Sequence, residues 1–194
     1  MTKKPHHHGD LYNGLIQAGL EILEQEGLDG LTLRKVAARA GVSHAAPAHH
    51  FDGKTGLLVA IATHGFQQFT DIMQAERYRK GSSPQDQLEG ISIGYVKFAN
   101  EHPALFRLIF NIDYKNHESA ELDQASSAAF KVLADVCALF EPSVHGAGTN
   151  ELMIWSIVHG YASLVQFSDQ QPGGRQTPIP IEALLPPLKP LVSD

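Results

Sequence analysis

The apolar residues of this chain return every three or four positions, in block after block, and nowhere alternate one by one. Leu11, Leu15, Ala18 and Ile22 keep that spacing between Asp10 and Glu26, and Leu57, Ile61, Phe66, Phe69, Ile72 and Met73 keep it on the way to Gly81. Leu122, Ala125, Ala129, Val132, Val136 and Leu139 repeat it, and Ile154, Ile157, Tyr161 and Leu164 close the series. A period near 3.6 buries one face of a helix, whereas a half-buried strand needs a period of two. The pattern therefore predicts an all-α fold with no strand and no internal repeat. With 194 residues, 43% of them hydrophobic, the chain can build one core of ordinary size or two small ones.

The breaks divide these helices. Asp10 can cap the first and Gly27 stop it. Thr32 can cap a second, with Leu33, Val36, Ala37 and Ala40 on one face. Gly41 then supplies a tight turn, and Ser43 can cap a short third helix reaching Phe51. A long helix starts at "DGKTGLL" and ends near Gly81. After the polar "KGSSPQ", helices are expected over 84–100 and from Pro103, which suits a first helical position. Others follow over 119–140 and 150–167, and "ALFRLIF", apolar on nearly every side, should be buried. The Pro- and Gly-rich tail has room for a short helix around Ile181 to Leu185. This gives two expected domains, residues 1–56 and 57–194, linked by the long helix.

Composition excludes several classes. Cys137 is the sole cysteine, so an intrachain disulfide and a cysteine-based zinc site are ruled out, in keeping with a reducing cytoplasm. No run approaches 18 uncharged apolar residues, so no membrane span is expected, and "MTKKPHHHGD" is no signal peptide. The net charge of −6 is unevenly spread. Through residue 60, Lys3, Lys4, Arg34, Lys35, Arg39 and Lys54 balance Asp10, Glu21, Glu24, Glu26, Asp29 and Asp52, so the remainder carries the whole excess. Only the first part is suited to a polyanion.

Two short helices joined through Gly41-Val42-Ser43 read as a helix-turn-helix, whose second helix enters the DNA major groove. Val42 plugs the corner and Phe51 anchors the far end. That leaves His44, Ala45, Ala48 and His49 presented, with Thr32, Ser43 and Lys54 placed for phosphates and Arg34 beside them. The three imidazoles of 44–50 invite a metal reading, but His44 and His49 point different ways and no carboxylate shares their face, so no metal is expected. His50 reads as a partly packed core residue. His6, His7 and His8 read as a basic arm, a weak metal site or a cloning remnant. No spacing supports catalysis, so the chain is not expected to be an enzyme and no cofactor is expected.

Residues 10–58 resemble the DNA-binding domain of the tetracycline-repressor (TetR) family. The matching frame is Thr32, Val36, Ala37, Gly41, Val42, Ser43, His50, Phe51, Lys54 and Leu57. "NEHPALFRLIF" and "WSIVHGYASL", within residues 88–168, resemble the ligand-binding and dimerising domain of a branch marked by Trp155, His159 and Gly160. The resemblance implies a homodimeric, ligand-responsive repressor bound to double-stranded operator DNA. Two departures bear on affinity rather than fold. Ala48 stands where the family usually places a phosphate-binding tyrosine, and Pro47 removes a backbone donor from the first turn unless the helix starts a residue late.

Within that frame, Phe98, Phe106, Phe110, Met153, Trp155 and Tyr161 are expected to line a site for a small, mostly apolar effector, with His159 as its polar handle. The plainer reading of Trp155 and His159 is a packed aromatic beside a hydrogen-bonded core histidine. Ser156, Gly160 and Ser163 form a small-residue stripe expected to face the partner of a homodimer, together with part of the 119–140 helix. Cys137 reads as inert core. An all-helical small-molecule carrier or enzyme without specific DNA binding is the competing reading.

Overall fold

In the structure, a computed structural model, the chain is described over residues 8–111, 119–169 and 179–191. His6 and His7 lie outside the described residues. Helix α1 spans His8–Gly30, α2 Leu33–Arg39 and α3 Gly53–Arg77, with a 3-10 turn at Ala46–His49 between the last two. Helices α4 (Pro84–Glu101), α5 (Pro103–Asn111), α6 (Ala120–Cys137) and α7 (Thr149–Asp169) follow, and a second 3-10 turn occupies Ile181–Leu184. No strand occurs among the described residues.

Most boundaries obey local signals. Gly27 takes φ 72°, ψ −174°, a conformation closed to helix and open to glycine, so the regular part of α1 ends there. At the other end, α1 starts at His8, so Asp10 lies inside the helix rather than capping it. Ser83 and Asp86 form a reciprocal capping box across Pro84 at the start of α4, and Pro103 opens α5.

The chain groups into two compact units, Met1–Gly65 with Ala104–Asp123, and Phe66–Pro103 with Gln124–Asp194. This grouping does not follow the 56/57 boundary: the first half of α3 and α5 from Ala104 onward belong with the N-terminal helices. Gly65 explains why. A Cβ there would sit 2.8 Å from Leu105 Cδ1 and 2.9 Å from Ile109 Cγ2, so α5 lies directly on the α3 backbone. Leu15, Ile22, Leu31, Val36, Leu57, Ile61 and Leu105 fill the core of this unit.

In the other unit, α4 presses on the C-terminal half of α3 through two glycines one turn apart. A Cβ at Gly90 would meet Glu76 O at 2.5 Å, and one at Gly94 would meet Met73 Cα at 2.8 Å. Leu88, Phe98, Val132 and Ile154 are its largest fully buried side chains. The C-terminal segment packs here. Ile181 is buried, Glu141 N–H donates to Lys189 O (2.8 Å), and Leu191 N–H donates to Leu139 O (2.9 Å).

Candidate functional site

The corner between α2 and the first 3-10 turn is closed by its own backbone. Thr32 Oγ1 accepts from Lys35 N–H at 3.2 Å and caps α2. At the other end, Val42 N–H reaches Ala37 O (3.0 Å) and Gly41 N–H reaches Ala38 O (3.2 Å), while Gly41 adopts φ 70°. That is a Schellman closure, which needs the left-handed conformation glycine takes without strain. Val36 and Ala37 are fully buried beneath it.

The expected third α-helix is a four-residue 3-10 turn, and Ser43 does not cap it. The residue before the turn is Ala45, without a side-chain bond, and the donor a Ser43 cap would use, Ala46 N–H, goes to the Ser43 carbonyl at 3.0 Å. The turn starts late, at Ala46, so the missing N–H of Pro47 falls among groups that need no intrahelical partner. Pro47 itself is buried, and its carbonyl accepts from Phe51 N–H at 2.9 Å. Phe51 is buried against Tyr12 of α1, centroids 5.3 Å apart, with His50 half-buried beside them. His44, Ala45, Ala48 and His49 all stay exposed.

Charge around this corner is largely consumed internally. Lys35 pairs with Glu26, and Arg39 pairs with Glu21 at 3.1 Å and donates to Gln25. The Lys35 ammonium holds the Glu26 carboxyl below its usual range. Lys54 donates to Leu28 O at 3.1 Å, which leaves its remaining ammonium protons to solvent. Arg34 is exposed and makes no ion pair among the described residues. Arg34 and Lys54 are thus the cations of this corner not spent on a carboxylate.

The second unit holds a chain of aromatic contacts that runs from core to surface. Phe98 packs on Phe69 (5.0 Å), Phe69 meets the Tyr95 edge (4.8 Å), and the Tyr95 hydroxyl lies 2.8 Å from His159 Nδ1. Trp155 partly offsets the rise that burial imposes on the Tyr95 phenol. Burial pushes the Tyr95 phenol far up and the His159 imidazole down, which favours both neutral forms. Phe98 continues to His102, whose Nε2 lies 2.7 Å from Gln68 Nε2.

The seven expected effector residues are therefore not gathered evenly. Phe98, Trp155 and His159 join this cluster. Phe106 and Phe110 stack on each other at 5.0 Å in the other unit. Met153 is half-buried. Tyr161 donates to Ile179 O at 2.8 Å and lines an open cleft of about 570 Å³ with Glu76, Arg79, Lys97 and Glu182. Tyr95, Phe69 and Gln68 were missed by sequence reasoning, because nothing local distinguishes them from other core-facing positions. Cys137 is buried and its thiol is pushed up to about 12, as expected of inert core. Among the described residues, no three His, Cys, Asp or Glu side chains are grouped to hold a metal.

Along α7 several large apolar side chains stay uncovered. Leu152 is 65% exposed, Leu164 68% and Trp155 39%, and Trp155 leans on Phe130 of α6, itself 46% exposed. Ser156 and Ser163 are exposed on this helix, and a Cβ at Gly160 would meet no atom of the described residues within 4 Å.

Known proteins repeat this two-part organisation. Residues 15–61 match the sequence pattern of bacterial regulatory proteins of the tetR family, and residues 88–178 match a tetracyclin repressor-like C-terminal domain. The chain is 35% identical over 80 residues to the HTH-type transcriptional regulator BetI 1 of Chromohalobacter salexigens, a match covering 41% of this chain and 40% of that one. It is 48% identical over 50 residues to the class A tetracycline repressor of transposon 1721 from Escherichia coli, covering 26% and 23%. These curated relatives are therefore matched over less than half of their length. A solved structure of a protein of unknown function from Rhodococcus sp. RHA1 superposes over 94% of this chain and 93% of its own, at a TM-score of 0.74 and 27% identity. The helix-turn-helix corner and the helical C-terminal part each match their own counterpart, together over well more than half of the sequence, and the chain belongs to the TetR family of bacterial regulatory proteins.

Proposed function

We propose that the protein is a DNA-binding transcriptional repressor that acts as a homodimer in the cytoplasm and leaves its operator when a small, mostly apolar effector binds. The observation that carries the reading is the corner at 41–51. Its backbone is closed on itself, so His44, Ala45, Ala48 and His49 are presented on a fixed turn, with Thr32, Ser43, Arg34 and Lys54 around them for phosphates. The uncovered face of α6 and α7, centred on Ser156, Gly160 and Ser163, supports pairing with a second copy. The Phe98–Phe69–Tyr95–His159 cluster supports an uncharged aromatic or apolar effector whose one polar group meets neutral His159.

Spending Lys35 and Arg39 on α1 carboxylates favours a second reading, a helical carrier that binds no DNA specifically. One experiment separates the two. A gel shift with the duplex immediately upstream of the chain's own gene, at two salt concentrations, should show binding that weakens with salt and survives excess scrambled duplex. Equal binding to both duplexes, or none, leaves the carrier.

A further inference from the structure

Helix α5 begins without a local cap. The residue ahead of Pro103 is His102, whose ring is committed to Gln68, and no Ser, Thr or Asp stands at 100–102. The first-turn donors that a cap would satisfy are instead taken from 80 positions away. Glu24 Oε2 accepts from Ala104 N–H and Glu24 Oε1 accepts from Leu105 N–H, both at 3.1 Å. A carboxylate suits this place twice over, since it offers two acceptors and its charge opposes the positive end of the helix dipole. Glu24 belongs to α1, the helix that holds Phe51 and the recognition turn through Tyr12. Along its flank, α5 lies on bare α3 backbone at Gly65, with Leu105 and Ile109 buried. Its first residue, Pro103, belongs to the other compact unit and follows α4 after the single residue His102, so α5 from Ala104 onward is grouped with the DNA-binding helices while joined in sequence to α4.

We propose that Glu24 is the positioning residue through which α5 and the helix-turn-helix sense each other, the bidentate cap making the seat of α5 and the pose of α1 one equilibrium. This rests on the reading of the chain as an operator-binding protein. A coupling of this kind is reciprocal: if displacement of α5 weakens DNA binding, bound DNA must tighten the cap.

Amide hydrogen exchange at Ala104 and Leu105 reads the cap directly, using full-length protein and a duplex that the protein itself selects from a random-sequence pool. In Glu24→Gln, which keeps the shape but offers a single acceptor, both amides should exchange roughly 3- to 30-fold faster. In the wild type the duplex should slow them about fivefold or more, and in Glu24→Gln it should not. Adding His102→Asp to Glu24→Gln supplies a local cap. That double variant should recover slow exchange yet stay indifferent to DNA, an outcome that a purely structural role for Glu24 does not give. Unchanged exchange in Glu24→Gln, or wild-type amides blind to a duplex that is visibly bound, overturns the proposal. A protein that selects no duplex at all breaks the operator reading instead, and takes the coupling with it.

Discussion

At the α2 corner every turn of backbone finds its partner within five residues, whereas α7 presents large apolar side chains that its own chain leaves half uncovered. The first region is finished as a monomer: Thr32, Gly41 and Pro47 close it, and Phe51 and Tyr12 lock it down. The second is stable as a helix, through buried Ile154, Val158 and Ala162, but Leu152, Trp155 and Leu164, spread around the rest of the helix, stay exposed. Exposed Trp155 rests on exposed Phe130 of α6, and exposed apolar side chains that group in this way mark a binding surface more than single ones do. Closed structure can present a fixed surface to DNA, and open structure can wait for a partner.

Gly160→Leu is the harshest test of that contrast. Among the described residues nothing lies within 4 Å of a Cβ at Gly160, so the larger side chain costs the subunit's own fold little and falls on the open face. Sedimentation should show wild-type dimers and Gly160→Leu monomers of unchanged helicity. Loss of the second half-site contact should then weaken operator binding by roughly 10²–10⁴-fold. A variant that remains dimeric breaks the assignment of this face.

Gly94→Val asks the same question of a glycine on the closed side. Its Cβ would lie 2.8 Å from Met73 Cα, backbone that cannot move aside. Overpacking of this kind costs about 1–3 kcal/mol or more, read as a lower denaturation midpoint. The two glycines thus predict opposite phenotypes, association lost with stability kept, and stability lost outright.

The pair also shows what a sequence can carry. Both glycines lie within helical stretches of similar apolar spacing, and only the assembled chain separates them. Helix order, the Thr32 cap, the Gly41 turn and Pro103 as a first residue were legible because each is decided within about five residues of itself. Ser43 was misread for a local reason of a subtler kind, its own carbonyl having taken the donor meant for its hydroxyl. The Tyr95–His159 bond and the Glu24 cap span 64 and 80 or more positions, and no local propensity encodes either. The same distance explains why the expected effector residues divide between two units.

Thr32→Ala probes the closed corner more gently. It removes one acceptor from the start of α2, an exposed helix end where water can substitute in part. A loss of about 0.5–2 kcal/mol in stability is expected, without change in oligomeric state. Unaltered stability would mean that the Schellman closure alone holds the corner.

Ala48→Tyr should do least, and in the favourable direction. Ala48 is exposed on the 3-10 turn, two residues before half-buried His50, and its N–H is already satisfied by Ala45 O at 3.2 Å. A phenol added there disturbs no backbone partner and extends outward, where it can donate to a phosphate. Phosphate contacts position a protein without reading sequence, so binding to the operator and to a scrambled duplex should tighten alike. One neutral hydrogen bond contributes roughly 0.5–1.5 kcal/mol, or about two- to tenfold in affinity per subunit. Because the new contact is uncharged, the dependence of affinity on salt should barely move. Titrations of both duplexes at two salt concentrations read all of these quantities together. Tightening on the operator alone would make residue 48 a reader of bases. Weakening on both would mean that the turn approaches DNA too closely for any side chain beyond a methyl group, and that the small residue at 48 is part of how the closed corner fits its target.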